Sequence, residues 1–155
     1  MNKRIFCLPL SLLFIVTGIV SAQNKSAGIN LSVWKGISTQ PADSAQTTYF
    51  NAFGSVIGGN MNGIQFSGLA NIVGGSMRGV QLSGISNING NNMVGLSATG
   101  LVNIAGNQSK GVLLSGMTNI SGDNTSGVMA SGIMNISGDG ASGVHLAGLA
   151  NITGA

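Results

Sequence analysis

One histidine, three aspartates, one cysteine and no glutamate make a poor inventory for acid–base, nucleophilic or metal chemistry in this 155-residue chain. General acid–base or nucleophilic work needs a proton carrier held beside a second polar group that orients it. His145 stands in Gly-Val-His-Leu-Ala-Gly, where it takes the place of Gln65 and Gln81 in earlier copies of the same phrase. That position reads as a solvent-facing, non-functional histidine. Asp123 and Asp139 share a Ser-Gly-Asp turn sixteen residues apart, and Asp43 lies far upstream. Two stacked carboxylates repel unless a cation such as Ca²⁺ sits between them. The glycine–aspartate nonapeptide of calcium-binding β-rolls is absent, however, and the local chemistry of turns accounts for both residues. The glycines do not form a phosphate loop, because they recur in every unit with no Lys-Ser/Thr ending and no helix to follow. The expectation is a protein without catalytic residues, metal or cofactor.

What does organise the chain is a repeat. Six 16-residue units follow one another without insertion, marked by Gly63, Gly79, Gly95, Gly111, Gly127 and Gly143. A second glycine column contains Gly68, Gly84, Gly100, Gly116, Gly132 and Gly148. An asparagine column contains Asn71, Asn87, Asn103, Asn119, Asn135 and Asn151, each followed by isoleucine. Self-similarity at a short fixed period is the mark of architectures whose units bury apolar surface only by stacking. In the unit Met77–Asn92, four columns are apolar, represented by Val80, Leu82, Ile85 and Ile88. Two or three glycines per unit, each costing about 1 kcal/mol relative to alanine, exclude a helix. The alternation Val80-Gln81-Leu82-Ser83 indicates a short strand.

Leu82 and Ile85 are three residues apart with a glycine between them, so a straight strand would put them on opposite faces. A corner at Ser83-Gly84 brings them to one face, glycine being suited to a corner that needs positive φ. Asn87 and Gly90 offer two further corners. Each unit then makes one coil of an all-β solenoid, six coils rising about 4.8 Å apiece. The four apolar columns are expected inside, and the asparagines stack into a hydrogen-bonded amide ladder. Two columns are expected outside. The hydroxyl column (Ser67, Ser83, Thr99, Ser115, Ser131) could face a glycan or ice, although small residues also simply fit beside the corner glycine. The column Gln65, Gln81, Ser97, Leu113, Met129 and His145 turns apolar along the rod and could mark a contact patch. The rival architecture is an antiparallel meander closed as an outer-membrane β-barrel. It would throw the Ile85 column onto its polar face, and its turns would lack the usual short and long alternation.

The ends differ from the repeat. Residues 1–22 read as an export signal: Lys3 and Arg4, an apolar run from Ile5 to Val20, then Val20-Ser21-Ala22 as the cleavage site. Cys7 stands at the start of that run rather than its end, which argues against a lipoprotein. Cleavage before Gln23 removes the only cysteine and leaves Lys25, Lys35, Arg78 and Lys110 against three aspartates, 4 − 3 = +1. No basic cluster remains to bind nucleic acid. Residues 23–60 read as a leader and cap, in which Val56 and Gly58 match Ile72 and Gly74 as one degenerate repeat. Residues 61–155 hold the six regular units, and the last ends at Gly154-Ala155 with no cap, an open strand edge able to recruit a second copy.

The phrase Gly79-Val-Gln-Leu-Ser-Gly-Ile-Ser-Asn-Ile88 resembles the repeat of the bacterial surface repeat-containing protein family, G-V-Q-L-A-G-L-x-N. Asn30-Leu-Ser-Val-Trp34 through Ser38-Thr39 is similar to the segment that precedes the repeats there. The likeness covers most of residues 30–155 and departs where Ser97, Leu113, Met129 and His145 replace the glutamine. It implies an exported repeat protein at the cell surface, outer-membrane-associated or periplasmic, with no assigned activity. The expected function is therefore a non-catalytic interaction or assembly module. Its partners would be a second copy, another surface protein or a glycan. The alternatives are an amyloid-like self-assembling subunit and a small membrane barrel.

Overall fold

Two alternating stretches per unit, separated by glycine bends, give each coil one long and one short strand. A computed structural model describes residues 29–34, 37–38 and 48–154, with side chains for 48–154. The export signal read at 1–22 and the leader around Pro41 lie outside the described residues. Strand β1 spans Ile29–Trp34 and β2 Ile37–Ser38, followed by β3 at Thr48–Asn51 and β4 at Gly54–Ile57. From there long and short strands alternate. The long ones are β5 (Met61–Ser67), β7 (Met77–Ser83), β9 (Met93–Thr99), β11 (Ser109–Ser115), β13 (Thr125–Ser131) and β15 (Ala141–Ala147). The short ones are β6 (Ala70–Val73), β8 (Ser86–Asn89), β10 (Val102–Ala105), β12 (Thr118–Ser121), β14 (Met134–Ser137) and β16 (Ala150–Thr153).

The long strands, with β1 to β3, form a nine-stranded sheet, and the short strands with β4 form a seven-stranded one. Within the repeats every neighbouring pair is parallel and joins a residue to its counterpart one unit on, as in Met77↔Met93 and Asn87↔Asn103. The chain is thus a β-solenoid, and the antiparallel barrel is not what it forms. Seven coils stack rather than six, because the degenerate segment folds as a full rung with Val56↔Ile72 in register. Beyond it β1 pairs parallel with β3, and β2 pairs antiparallel with β1 through Trp34↔Ile37. A strand of opposite sense therefore ends the ladder on that side.

The inside and the outside of the coil are the reverse of the sequence expectation. Met77 and Gln81 are fully buried, whereas Val80 and Leu82 between and beyond them stay part-exposed. Across the coil Asn87 and Asn89 are buried and Ile85 is 44% exposed. The corner at Gly84 does bring Val80, Leu82, Ile85 and Ile88 to one side, but that side faces out. Asn87 is not a corner residue; it lies within β8 and points inward.

Side-chain size inside is balanced between columns. Met61, Met77 and Met93 fill one inward column, which shrinks to Ser109 and Thr125 in the next two coils. The neighbouring inward column grows over the same coils, from Ser97 to Leu113 and Met129, all of them at most 1% exposed. From the coil of Met93 onward one column thus offsets the other in a thin, closely packed interior, whereas the first two coils are large in both, with Met61 beside Gln65 and Met77 beside Gln81.

The glycines also act differently from expectation. Positive φ belongs to the mid-strand column, with Gly79 at 124° and Gly95 at 127°, and not to the corner column. A Cβ on Gly95 would run into the carbonyl oxygen of Gly79 in the coil below. At the corner, a Cβ on Gly84 would strike the carbonyl oxygen of Gly68. Corner glycines are required for close stacking rather than for a special φ. Gly95→Ala should therefore cost about 3–5 kcal/mol. Gly58→Ala, where an added Cβ meets nothing within 4 Å, should stay within about 0.5 kcal/mol. Urea unfolding followed by far-UV circular dichroism compares the two, and equal losses would refute the stacking argument.

Candidate functional site

The chemistry-bearing residues do not converge. His145 lies in the inward column after Met129, in register with it across β13 and β15. It is therefore not the solvent-facing histidine expected, and its Nε2 is buried without a hydrogen-bond partner. Asp123 and Asp139 occupy the same bend in successive coils, where the Asp139 amide donates to the Asp123 carbonyl at 3.4 Å. No group of three or more His, Cys, Asp or Glu side chains that could hold a metal occurs among the described residues. Asp43 lies outside them.

Both columns expected on the surface are corrected by the structure. The glutamine column is inward: Gln65 and Gln81 are buried, and so are Leu113 and Met129, which removes them as a contact patch. Burial is satisfied by a relay in which Asn89 Nδ2 donates to Gln81 Oε1 at 3.0 Å. Gln81 Nε2 donates to Gln65 Oε1 at 3.1 Å, and Gln65 Nε2 to Ser55 Oγ at 2.7 Å. The hydroxyl column also turns toward the interior side of the corner. Ser67 Oγ donates to Asn71 Oδ1 at 2.7 Å and Ser83 Oγ to Thr99 Oγ1 at 3.1 Å. Ser115 and Ser131 hydroxyls are buried and unpartnered. These hydroxyls cannot present an array to a glycan or to ice.

The asparagine column is continuous. Each Nδ2 donates to the Oδ1 one coil on, at 3.0, 3.1, 2.8, 2.9 and 2.9 Å from Asn71 to Asn151. The same amides cross the interior to the long-strand backbone. Asn87 Nδ2 lies 3.3 Å from the Gln81 carbonyl of its own coil and 3.0 Å from the Ala98 carbonyl of the next. Asn103 Nδ2 is 2.7 Å from the Leu114 carbonyl. A short amide at this position therefore joins the two sheets beside the corner, and the period-two alternation then sends Ile88 outward.

The surface this creates was missed by sequence reasoning. Every large apolar side chain that is exposed among residues 48–154 stands in one of four outward columns, those of Ile64, Phe66, Leu69 and Ile72. These columns wrap contiguously around the glycine corner. The corner column is the most prominent, with Leu69 at 43%, Ile85 at 44% and Leu149 at 82% exposure. Phe50 and Phe66 stack in parallel with ring centroids 5.0 Å apart. The charged side chains Arg78, Lys110, Asp123 and Asp139 stand on the other flank, toward the second bend. The signal that could have found this was the asparagine column. An invariant amide next to an invariant isoleucine cannot share a face with it in one strand. No family model, curated protein or solved structure matches this chain.

Asn103→Ala should cost about 3 kcal/mol, because Asn87 Nδ2, the Leu114 carbonyl and Asn119 Oδ1 each lose a partner. Asn103→Asp tests the same site with little change of shape. Its carboxylate would face two acceptors, the Leu114 carbonyl and Asn119 Oδ1, so folding raises its pKa above the ordinary value of about 3.9. The loss of stability is full above the raised folded-state pKa and shrinks as pH falls through it. Urea midpoints at neutral and mildly acidic pH, relative to the unsubstituted protein, check this; a deficit that does not shrink on acidification contradicts it.

Proposed function

We propose that this chain is an exported, non-catalytic surface or envelope protein whose solenoid serves as an assembly module. The observation that carries the reading is the gathering of the exposed aliphatic columns around one corner, while the charged side chains among residues 48–154 stand toward the second bend. Seven coils at about 4.8 Å make a rod about 34 Å long. Its four outward columns therefore cover on the order of 800 Å², beyond the few hundred Å² that soluble monomers expose. A patch of that size marks a surface meant to be covered.

Export rests on the leader, with its charged start, apolar run and small-residue site ending at Ala22. The resemblance to surface repeat proteins agrees with it. The non-catalytic reading rests on the dispersal of His145, Asp123 and Asp139, which share no cleft. Polymerisation through β15 and β16, which have a strand partner on one side only among the described residues, is the competing mode of assembly.

The test of export is to express the full chain with a C-terminal tag in a bacterium with two membranes and fractionate the cells. The tagged product should lie outside the inner membrane and begin at Gln23 by mass spectrometry. A full-length product that stays in the cytosol overturns the reading.

A further inference from the structure

Over its four central coils, one outward column of the nine-stranded sheet has a pattern of large and small side chains that is its own complement. Along one outward column the residues are Leu82, Ala98, Leu114 and Ala130, each in register with the next. Leu114 is 40% exposed because both its neighbours in the column are alanines. It is a knob between two notches one coil away on either side. Read backwards, the same four positions run Ala130, Leu114, Ala98, Leu82, so a small residue stands wherever the forward reading has a large one.

We propose that a second copy of this chain docks on this face with the two rods antiparallel, about a dyad midway between Ala98 and Leu114. A twofold axis lying in the interface along the strand direction reverses the rod and keeps each column facing its own counterpart. Leu114 then faces the partner's Ala98, and Leu82 faces the partner's Ala130. In the adjacent outward column Val80 faces the partner's Val128, and Leu96 the partner's Val112. On the polar side Arg78 meets the partner's Ser126 and Lys110 the partner's Val94, so no like charges are opposed. A dyad along the rod would instead set Lys110 against the partner's Leu114.

The choice of occupant follows from period, charge and area. The outward columns rise by one coil per step with no insertion over all six units, and a second copy has the same step. A lipid surface has no such period, and residues 48–154 offer it no net charge, with Arg78 and Lys110 balanced by Asp123 and Asp139, 2 − 2 = 0. Overlap of all six units, which at the rod ends sets Phe66 against the partner's Leu146, apolar on apolar, buries on the order of 1,200 Å² in total across about 20 Å of sheet, at the lower edge of specific dimers. This proposal rests on reading the apolar columns as an assembly surface, and names the partner.

The test uses the purified full protein in sedimentation velocity, light scattering and cross-linking. The expected mass is that of a dimer. Leu114→Lys should raise the dissociation constant by about 100-fold or more without changing the far-UV spectrum, since the side chain is outward. Leu82→Cys/Ala130→Cys, made together with Cys7→Ser, should give a covalent dimer on mild oxidation, while either single variant with Cys7→Ser should not. Within one chain these positions are three coils apart, too far for a disulfide. A dimer or polymer that Leu114→Lys leaves intact and that the double variant does not cross-link overturns this face in favour of the rod ends. A monomer that binds phosphatidylcholine vesicles through the same residues overturns the dimer and keeps the apolar columns as a docking surface. A monomer that binds neither overturns both.

Discussion

The asparagine amide that spans the interior beside the corner is the constraint from which the rest of this coil follows. Asn87, Asn103, Asn119 and Asn135 each meet three demands at once: they accept from the coil before, donate to the coil after, and bond to the backbone of the opposite sheet. Only a side chain two bonds long with both a donor and an acceptor does this at one position. A buried amide left short of partners costs about 1–3 kcal/mol per group, so the five that are buried, Asn71 to Asn135, depend on an asparagine on the next rung to take up each amide proton. The invariance of the column is thus a consequence of its burial. With asparagine inward, strand alternation leaves isoleucine no place but the surface.

Glycine enforces the same spacing from the backbone. The mid-strand and corner glycines both lie with their missing Cβ toward a carbonyl of the preceding coil. A side chain at either place would push the coils apart and lengthen every amide bond in the ladder. Hydrogen bonds weaken steeply beyond about 3.2 Å, and the ladder steps already run from 2.8 to 3.1 Å. The glycine columns and the asparagine column therefore depend on one another: the first permits the approach that the second requires.

This coupling explains which features were legible in the sequence. The unit length, the corner and the parallel register could be read because each is a matter of spacing, and spacing is visible in Gly84, Asn87 and their counterparts. The face could not be read by assigning aliphatics to the core, because in this fold the core is too thin to need them. Its inward positions hold methionine, glutamine, serine and asparagine, and most polar groups there bond along the stack, Asn89 Oδ1 and Ser109 Oγ being exceptions. The anticorrelation of Met93 with Ser97 and of Ser109 with Leu113 was also present in the sequence. It marks two columns sharing one volume, and only inward columns share a volume. The positive φ of Gly79 was not legible, since a glycine column alone does not distinguish a bend from a close backbone approach.

The inversion has a consequence for how the molecule separates folding from association. Outward Val80, Leu82 and Ile88 still gain from stacking on their neighbours, which leaves each only part-exposed, yet the part left in solvent contributes nothing to the isolated rod. Stability is carried mainly by the amide ladder, the parallel backbone pairing and the thin inner columns. The outer columns are then free to vary in size without disturbing the fold. That freedom is visible in the run Leu82, Ala98, Leu114, Ala130, which alternates in size while the coils stay in register. A surface column relieved of packing constraints inside the molecule can record a constraint from outside it. Alternation of large and small on an exposed aliphatic face is what a facing surface with the same 16-residue step would impose.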